Sequence, residues 1–314
     1  MISLCAAGFP GTDRALRELS LTCGLTRHLT IPAGADEPAI EFLIDVVREQ
    51  QPRWVIFGSW NPVYERFMRS LSCRFAVYWT SSPGQVEISE EAETLARLLQ
   101  DKRVGARLFL SEPLAAGLAG QHLPATLAQT TPMPRVSESP PGLSLFCSPS
   151  EYRRKNVLNV LLGLAEVRQP YRLHVNGMGS HPLYCGLLEG IAHVDHGWMT
   201  SEQYRSVMAG IDLGLQVSFS ESFSYVVAEH IAQGVPVVAS PMVPVVGRMS
   251  AGIRQDLVVD EPDSPQAIGQ AVARLLADPA RRMRVGRQAR EELLRQNQID
   301  IQVARQTLEH LRAS

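Results

Sequence analysis

The sequence predicts an α/β fold: two doubly wound, Rossmann-like domains, each a mostly parallel sheet covered by helices on both faces. Two observations predict it. Short apolar runs alternate with amphipathic helical patterns along the 314-residue chain, as βαβ units require. The alternation breaks once, at residues 122–142, where five prolines fall in a stretch of little periodicity, and then restarts. A chain of this length can bury two cores of ordinary size.

In the first half, MISLCAAG (1–8), RHLTIPA (27–33), RWVIFGS (53–59), RFAVYWT (74–80) and ARLFLS (106–111) read as strands. Amphipathic segments at 38–50 and 88–100 read as helices between them. In the second half the strands are LSLFCS (143–148), YRLHVNG (171–177), IAHVDH (191–196), DLGLQVS (212–218), VPVVAS (235–240) and DLVVD (256–260). Helices are expected at 155–167, 201–209, 224–233, 265–277 and 280–296, and a further one at 298–312. The expected domains are therefore 1–137 and 138–297, followed by a C-terminal helix, 298–314, free to pack back on the first domain. Two such domains joined by a proline-rich hinge are expected to hold a ligand in a cleft, at the carboxyl ends of their strands.

Composition narrows the function classes. Thirty Lys and Arg against 32 Asp and Glu give a net charge of −2, which argues against nucleic acid as partner. No apolar run reaches the roughly 18 to 20 residues that span a bilayer. The start, MISLCAAGFPG, lacks the basic region of a signal peptide. A cytoplasmic location is expected, at most peripheral to the inner face of a membrane. Five scattered cysteines without a Cys-x-x-Cys pair indicate neither a zinc site nor a disulfide framework. His193 and His196 lack further ligands nearby, no Asp-x-Asp motif occurs, and VVDEPD (258–263) reads as a solvated loop. No metal is expected.

Residues 221–240, ESFSYVVAEHIAQGVPVVAS, carry the chemistry. Glu229 sits among Tyr225, Val226, Val227, Ala228, Ile231 and Ala232, on a helix that reads as buried nearly all round. A buried carboxylate is costly unless something binds it. Ser222 or Ser220 is expected to cap this helix and Gly234 to close it. Its N-terminus suits a diphosphate. Glu221 stands just before that end, and Glu229, two turns on, lies on the same side, so the pair can grip two ends of one ligand.

The Glu221-x7-Glu229 spacing, followed by Gly234-Val-Pro236-Val-Val238, resembles the donor signature of retaining nucleotide-sugar glycosyltransferases of the GT-B fold, family 4. Both glutamates, Phe223, Gly234, Pro236, Val237 and Val238 match; Ser222 and Ser224 stand where glycines are usual, and His230 where alanine is usual. The resemblance extends over residues 143–296. In EYRRKNVLNVLLGLAEV it implies that Lys155, opening a helix, contacts the donor diphosphate, with Arg154 or Arg153 replacing the arginine that the family has at Ser150. It implies that Glu221 sits against the donor sugar, that Glu229 holds the ribose, and that Ser222, Phe223 and Ser224 line the donor. Trp198 is read either as near the nucleotide base or as a buried aromatic. In GFPGTDRALREL, Gly11 and Thr12 form a strand-to-helix turn open to phosphate or sugar. The turn is not a dinucleotide fingerprint. Related enzymes carry a sugar-contacting histidine where Thr80 stands, and none occurs between His28 and His122.

The resemblance thus implies transfer of a sugar, with retention, from a nucleotide-diphosphate sugar, UDP- and GDP-sugars first, to an acceptor glycan, lipid or small molecule. No cofactor or metal is required. The alternative is a non-catalytic sugar-nucleotide binder or partner subunit of the same fold.

Overall fold

The computed structural model describes residues 1–25, 27–88, 91–136, 139–147 and 152–314. Outside these lie Ser89 and Glu90 of the expected helix 88–100, the expected boundary at 137/138, Ser148 and Ser150. The chain forms two compact units, residues Met1–Gln129 with Gln296–Ser314, and Thr130–Arg295.

The first unit begins β1 (Ile2–Ala6), α1 (Pro10–Cys23), β2 (Arg27–Ile31), α2 (Glu37–Glu49), β3 (Trp54–Gly58) and α3 (Tyr64–Ser70). It continues with β4 (Arg74–Trp79), α4 (Pro83–Ile88), α5 (Ala92–Gln100), β5 (Val104–Phe109), α6 (Glu112–Gly117) and β6 (Gln121–His122). The sheet order is β2-β1-β3-β4-β5-β6, every pairing parallel. Strands β1 and β3 are buried throughout, which is why they read as unbroken apolar runs. Phe57 stacks on Tyr64 at 4.4 Å, and the Tyr64 hydroxyl accepts from Ala6 N and donates to the Gly58 carbonyl, both at 2.8 Å. One phenol thereby ties together the carboxyl ends of β1 and β3.

The second unit holds β7 (Gly142–Leu145), α7 (Val157–Ala165), β8 (Arg172–Val175), α8 (Pro182–Leu188), β9 (His193–Asp195), α9 (Ser201–Met208) and β10 (Ile211–Gln216). Then come α10 (Tyr225–Ala232), β11 (Val237–Ala239), α11 (Pro244–Gly247), α12 (Ala251–Leu257) and α13 (Pro265–Ala277). Helix α14 (Pro279–Ala313) closes the chain. The sheet order is β11-β10-β7-β8-β9, again parallel. The α/β, two-sheet Rossmann-like expectation is met.

Four expectations change. Segments 280–296 and 298–312 are one 35-residue helix, because no proline or glycine interrupts it after Gly286. The units divide at 129/130 and 295/296, so that helix begins in one unit and ends in the other. The expected strand 256–260 is the end of α12 plus a single bridge, Val258 to Ala239, since the α12 backbone bonds continue to Val258 N. The expected helix 88–100 is described as α4 and, from Ala92, α5. Among the described residues no helix is long and apolar enough to cross a membrane.

Candidate functional site

In an open parallel sheet the crevice for a ligand lies where neighbouring strands send their connections to opposite sides. In the second unit that point falls between β7 and β10. The chain leaving β7 delivers Arg154 and Lys155, and the chain leaving β10 delivers Ser218 to Ser224. These segments are joined by backbone and side chain alike: Phe219 N donates to the Arg154 carbonyl (2.9 Å), and Arg154 Nη1 donates to the Ser220 carbonyl (2.8 Å).

Glu221 is the centre of the site. Its side chain is 4% exposed; Lys155 Nζ donates to Oε1 at 2.6 Å, Ser218 Oγ to the same oxygen at 2.8 Å, and Arg154 Nη1 lies 3.1 Å from Oε2. Burial pushes this carboxyl up, but Lys155, Arg154 and the hydrogen bonds outweigh it and hold it below the usual carboxylate range. Two buried cations against one anion leave the cluster positive, an electrostatic seat for a further negative charge. Lys155 does not open a helix: it lies in a turn, and Asn156, at φ 58°, is the N-cap of α7. The left-handed residue turns the chain so that Lys155 faces Glu221. Arg153 is exposed, so of the two candidate arginines only Arg154 enters the cluster.

Helix α10 differs from the sequence expectation in two ways. Its cap is Ser224, at φ 67°, not Ser222 or Ser220, and Ser224 makes no side-chain cap bond. The loop must reach Glu221 first, which delays the helical turn. Ser224 Oγ is buried with no partner among the described residues, as is Gln216 Oε1 nearby on β10. Gln216 Oε1 can only accept and Ser224 Oγ can donate or accept, so a hydroxyl or water would match them, while the uncapped N–H groups at the start of α10 suit an anion. Second, Glu229 is half-buried rather than buried: Ser222, Tyr225, Val226 and Glu229 form one partly open stripe at helical spacing, while Val227, Ala228, His230, Ile231 and Ala232 are buried on the other side. Phe223 is buried, edge-on to Tyr225 at 4.9 Å. Gly234 closes the helix as expected, at φ 77°.

His230 is fully buried in a slot between sheet and helix. Its Nδ1 donates to the Val226 carbonyl and its Nε2 accepts from Ser144 Oγ, both at 2.6 Å. Gly214 makes the slot: a Cβ there would lie 2.9 Å from the imidazole. Burial lowers the ring to about 4, so it is neutral. This histidine is a satisfied core group.

Residues missed by the sequence reading complete the rim. Asp195 accepts from the backbone N–H of Gly177 (2.6 Å), Gly179 (2.7 Å) and Gly197 (2.9 Å), fixing the loops after β8 and β9. A carboxylate two positions before a glycine, Asp195-His196-Gly197, was the available signal. Trp198, beside that loop, is 70% exposed. His196 pairs with His174 at 2.9 Å, and among the described residues no group of three or more His, Cys, Asp or Glu could hold a metal.

In the first unit Thr12, Ser59 and Thr80 form a buried hydroxyl cluster beyond β1, β3 and β4. Thr12 and Thr80 oxygens are 2.5 Å apart and Thr12 and Ser59 are 3.4 Å apart. This too is a switch point, between β1 and β3. Gly11 is exposed inside the first turn of α1 with open space about it; the turn itself depends on Gly8, at φ 102°.

Residues 143–278 match the family model described as "Glycosyl transferases group 1". The chain carries a glycosyltransferase domain. Its enzyme class is glycosyltransferase, and the solved structures that it resembles are GT-B glycosyltransferases. Sucrose-phosphate synthase from Thermosynechococcus elongatus is 16% identical, with a TM-score of 0.72 over 100% of this chain and 99% of that one. The Anabaena protein Alr3699/HepE, solved in complex with UDP-glucose, is 12% identical, with a TM-score of 0.72 over 100% of both chains. WaaG, a glycosyltransferase involved in lipopolysaccharide biosynthesis, is 17% identical, with a TM-score of 0.66 over 93% of this chain and 95% of that one. At these identities the likeness concerns the fold. No curated protein sequence matches the chain.

Proposed function

We propose that the protein transfers a sugar from a nucleotide-diphosphate sugar, UDP- or GDP-linked, to an acceptor glycan, lipid or small molecule, retaining the anomeric configuration as family 4 enzymes do. One observation carries the reading: Lys155, Arg154 and Glu221 converge in a buried, net cationic cluster beside the uncapped start of α10. In this reading Lys155 and Arg154 neutralise charge on the leaving diphosphate as it develops, which lowers the barrier without a metal. Glu221 sits against the donor sugar, and Glu229, on the open stripe of α10, holds the ribose. Ser222, Phe223 and Ser224 line the donor. The leaving phosphate takes the acceptor proton, so no separate base is needed. UDP-glucose bound to Alr3699/HepE supports a nucleotide-sugar donor for this fold.

The test incubates the protein and Glu221→Ala with UDP-, GDP- and ADP-sugars, with and without EDTA, and identifies products by mass spectrometry and their anomeric configuration by NMR. Transfer by the wild type in EDTA, lost in Glu221→Ala, is expected. Inversion, or turnover that EDTA abolishes and magnesium restores, would overturn the corresponding part.

A second reading, a silent sugar-nucleotide binder, is favoured by one contact. Thr80 stands where a sugar-contacting histidine is usual, and its hydroxyl is engaged by Thr12. Nucleotide binding without transfer to any acceptor would select it.

A further inference from the structure

The second unit has a cavity that the donor chemistry leaves unused, at the amino-terminal end of its sheet. Its volume is about 590 Å³ and its lining includes Arg135, Arg282, Arg287 and Arg290, with Asp212 as its one carboxylate and Met283 on its apolar wall. Asp212 is the second residue of β10, whereas Glu221 lies beyond the far end of that six-residue strand. At about 3.3 Å per residue the strand from Asp212 to Gln216, whose amide reaches Glu221, sets the two sites roughly 13 Å or more apart.

The helix supplies this lining by its spacing. Gly286 of α14 packs so closely on the Gly234–Pro236 turn that a Cβ would meet the Gly234 carbonyl at 2.2 Å. With Gly286 pressed to the floor, Arg282, Met283, Arg287 and Arg290 flank it at helical intervals. Three guanidiniums are fixed mainly by carbonyls. Arg290 donates to Ala232 O (2.9 Å) and Thr130 O (3.1 Å), Arg282 to Leu275 O (3.0 Å), and Arg135 to Ile211 O. Such bonds hold a guanidinium in place and leave its charge.

Only Arg135 has a carboxylate partner among the described residues lining the cavity: Asp212, at 3.1 Å, which also accepts from Gly142 N. Four cations less one anion leave a net charge of +3 around one concavity. Arg282 is only 8% exposed and shares the attraction of the single Asp212 carboxylate with Arg135, so the buried charge is under-compensated. A solvated arginine face would be convex and open; this one is concave, and three of its four arginines are anchored.

We propose that this cavity is an anion site distinct from the donor site, and that it takes a phosphate-bearing ligand. Its volume is in the range of small-molecule pockets, about 300–1,000 Å³. Arginine forks match phosphate oxygens two at a time. A soluble phosphate ester and a lipid headgroup share this chemistry.

The probe is inorganic pyrophosphate, titrated by calorimetry into the full chain with and without UDP, at constant ionic strength. Arg287, exposed and free of a partner among the described residues, is the residue to change. Arg287→Glu is expected to weaken pyrophosphate binding about tenfold or more, the worth of a charge-assisted contact. Arg284→Glu is the control; it alters the same net charge on an exposed residue of the same helix that does not line the cavity, and should leave binding unchanged. UDP affinity, measured on each protein, reports the donor site separately. Its absence would count against the proposed function and leave the comparison of the two variants intact. Sedimentation with vesicles of phosphatidylglycerol in phosphatidylcholine identifies the source. Arg287-dependent sedimentation indicates a lipid headgroup, and Arg287-dependent pyrophosphate binding without it indicates a soluble phosphate. No binding of either probe, or equal loss in both variants, overturns the site.

Discussion

Glu221 and Lys155 stand 66 residues apart in sequence and 2.6 Å apart in the fold. Removing one partner of a buried pair leaves the other charge stranded, which costs about 3–5 kcal/mol, whereas removing both costs far less. Glu221 is shared by Lys155 and Arg154, so Glu221→Gln, which strands both cations, is expected to lose stability on that scale in urea denaturation, whereas Lys155→Met, which leaves the Arg154–Glu221 pair, should lose less. Glu221→Gln as stable as the wild type would mean that the charges are not held together. His230 gives a pH window. Its folded value, about 4, lies below its ordinary 6.5, so the native imidazole is neutral. As pH falls below 6.5 the unfolded chain gains a proton that the folded chain refuses. The stability is complete above pH 6.5 and is lost on descent toward pH 4, by about 3 kcal/mol in all. His230→Ala should flatten the acid limb of stability against pH, and an unchanged limb would contradict the assignment. The glutamate spacing was legible in the sequence as one motif, and Lys155 from the separate segment EYRRKN, 66 positions before Glu221. The slot that Gly214 opens for His230 was not, because it joins a strand to a helix 16 positions on, with no local pattern.

At the scale of elements, most strands were legible from their apolar runs and the longer helices of the second unit from periodicity, while short helices such as α8, α11 and α12 were not. Ends and breaks failed too. The sequence reading divided this segment of α14 at 297, but a helix needs proline, glycine or a cap to end, and α14 has none there. The cap of α10 was misplaced because the loop is drawn toward Lys155 and Arg154, a tertiary pull that no serine pattern records. Close packing of α14 on the Gly234–Pro236 turn makes Gly286 a test. Gly286→Ala should destabilise by about 1–3 kcal/mol, as overpacking does. Gly252→Ala, in α12 with open space around it, should be neutral or stabilise by about 0.4–1 kcal/mol. Equal melting temperatures for the two variants would argue against that packing.

At the scale of the molecule, each sheet brings loop residues together at its own switch point: Arg154, Lys155 and Glu221 in the second unit, Thr12, Ser59 and Thr80 in the first. Two-unit organisation was legible from the proline-rich interruption, and a C-terminal helix at 298–314 packing back on the first domain was among the expectations; residues 296–314 do fall in the first unit. The central claim is that the second unit is a nucleotide-sugar donor domain, with Glu229 on the open face of α10 as a ligand contact. Thermal unfolding of the wild type and Glu229→Ala with UDP, GDP and ADP tests it most directly. At about 100 times its dissociation constant, the cognate nucleotide should stabilise the wild type by roughly 2.7 kcal/mol. Glu229→Ala should keep its fold and bind that nucleotide more weakly by about 1–3 kcal/mol, as loss of charged hydrogen bonds predicts. No shift with any of the three nucleotides, or equal affinity in Glu229→Ala, would contradict the claim.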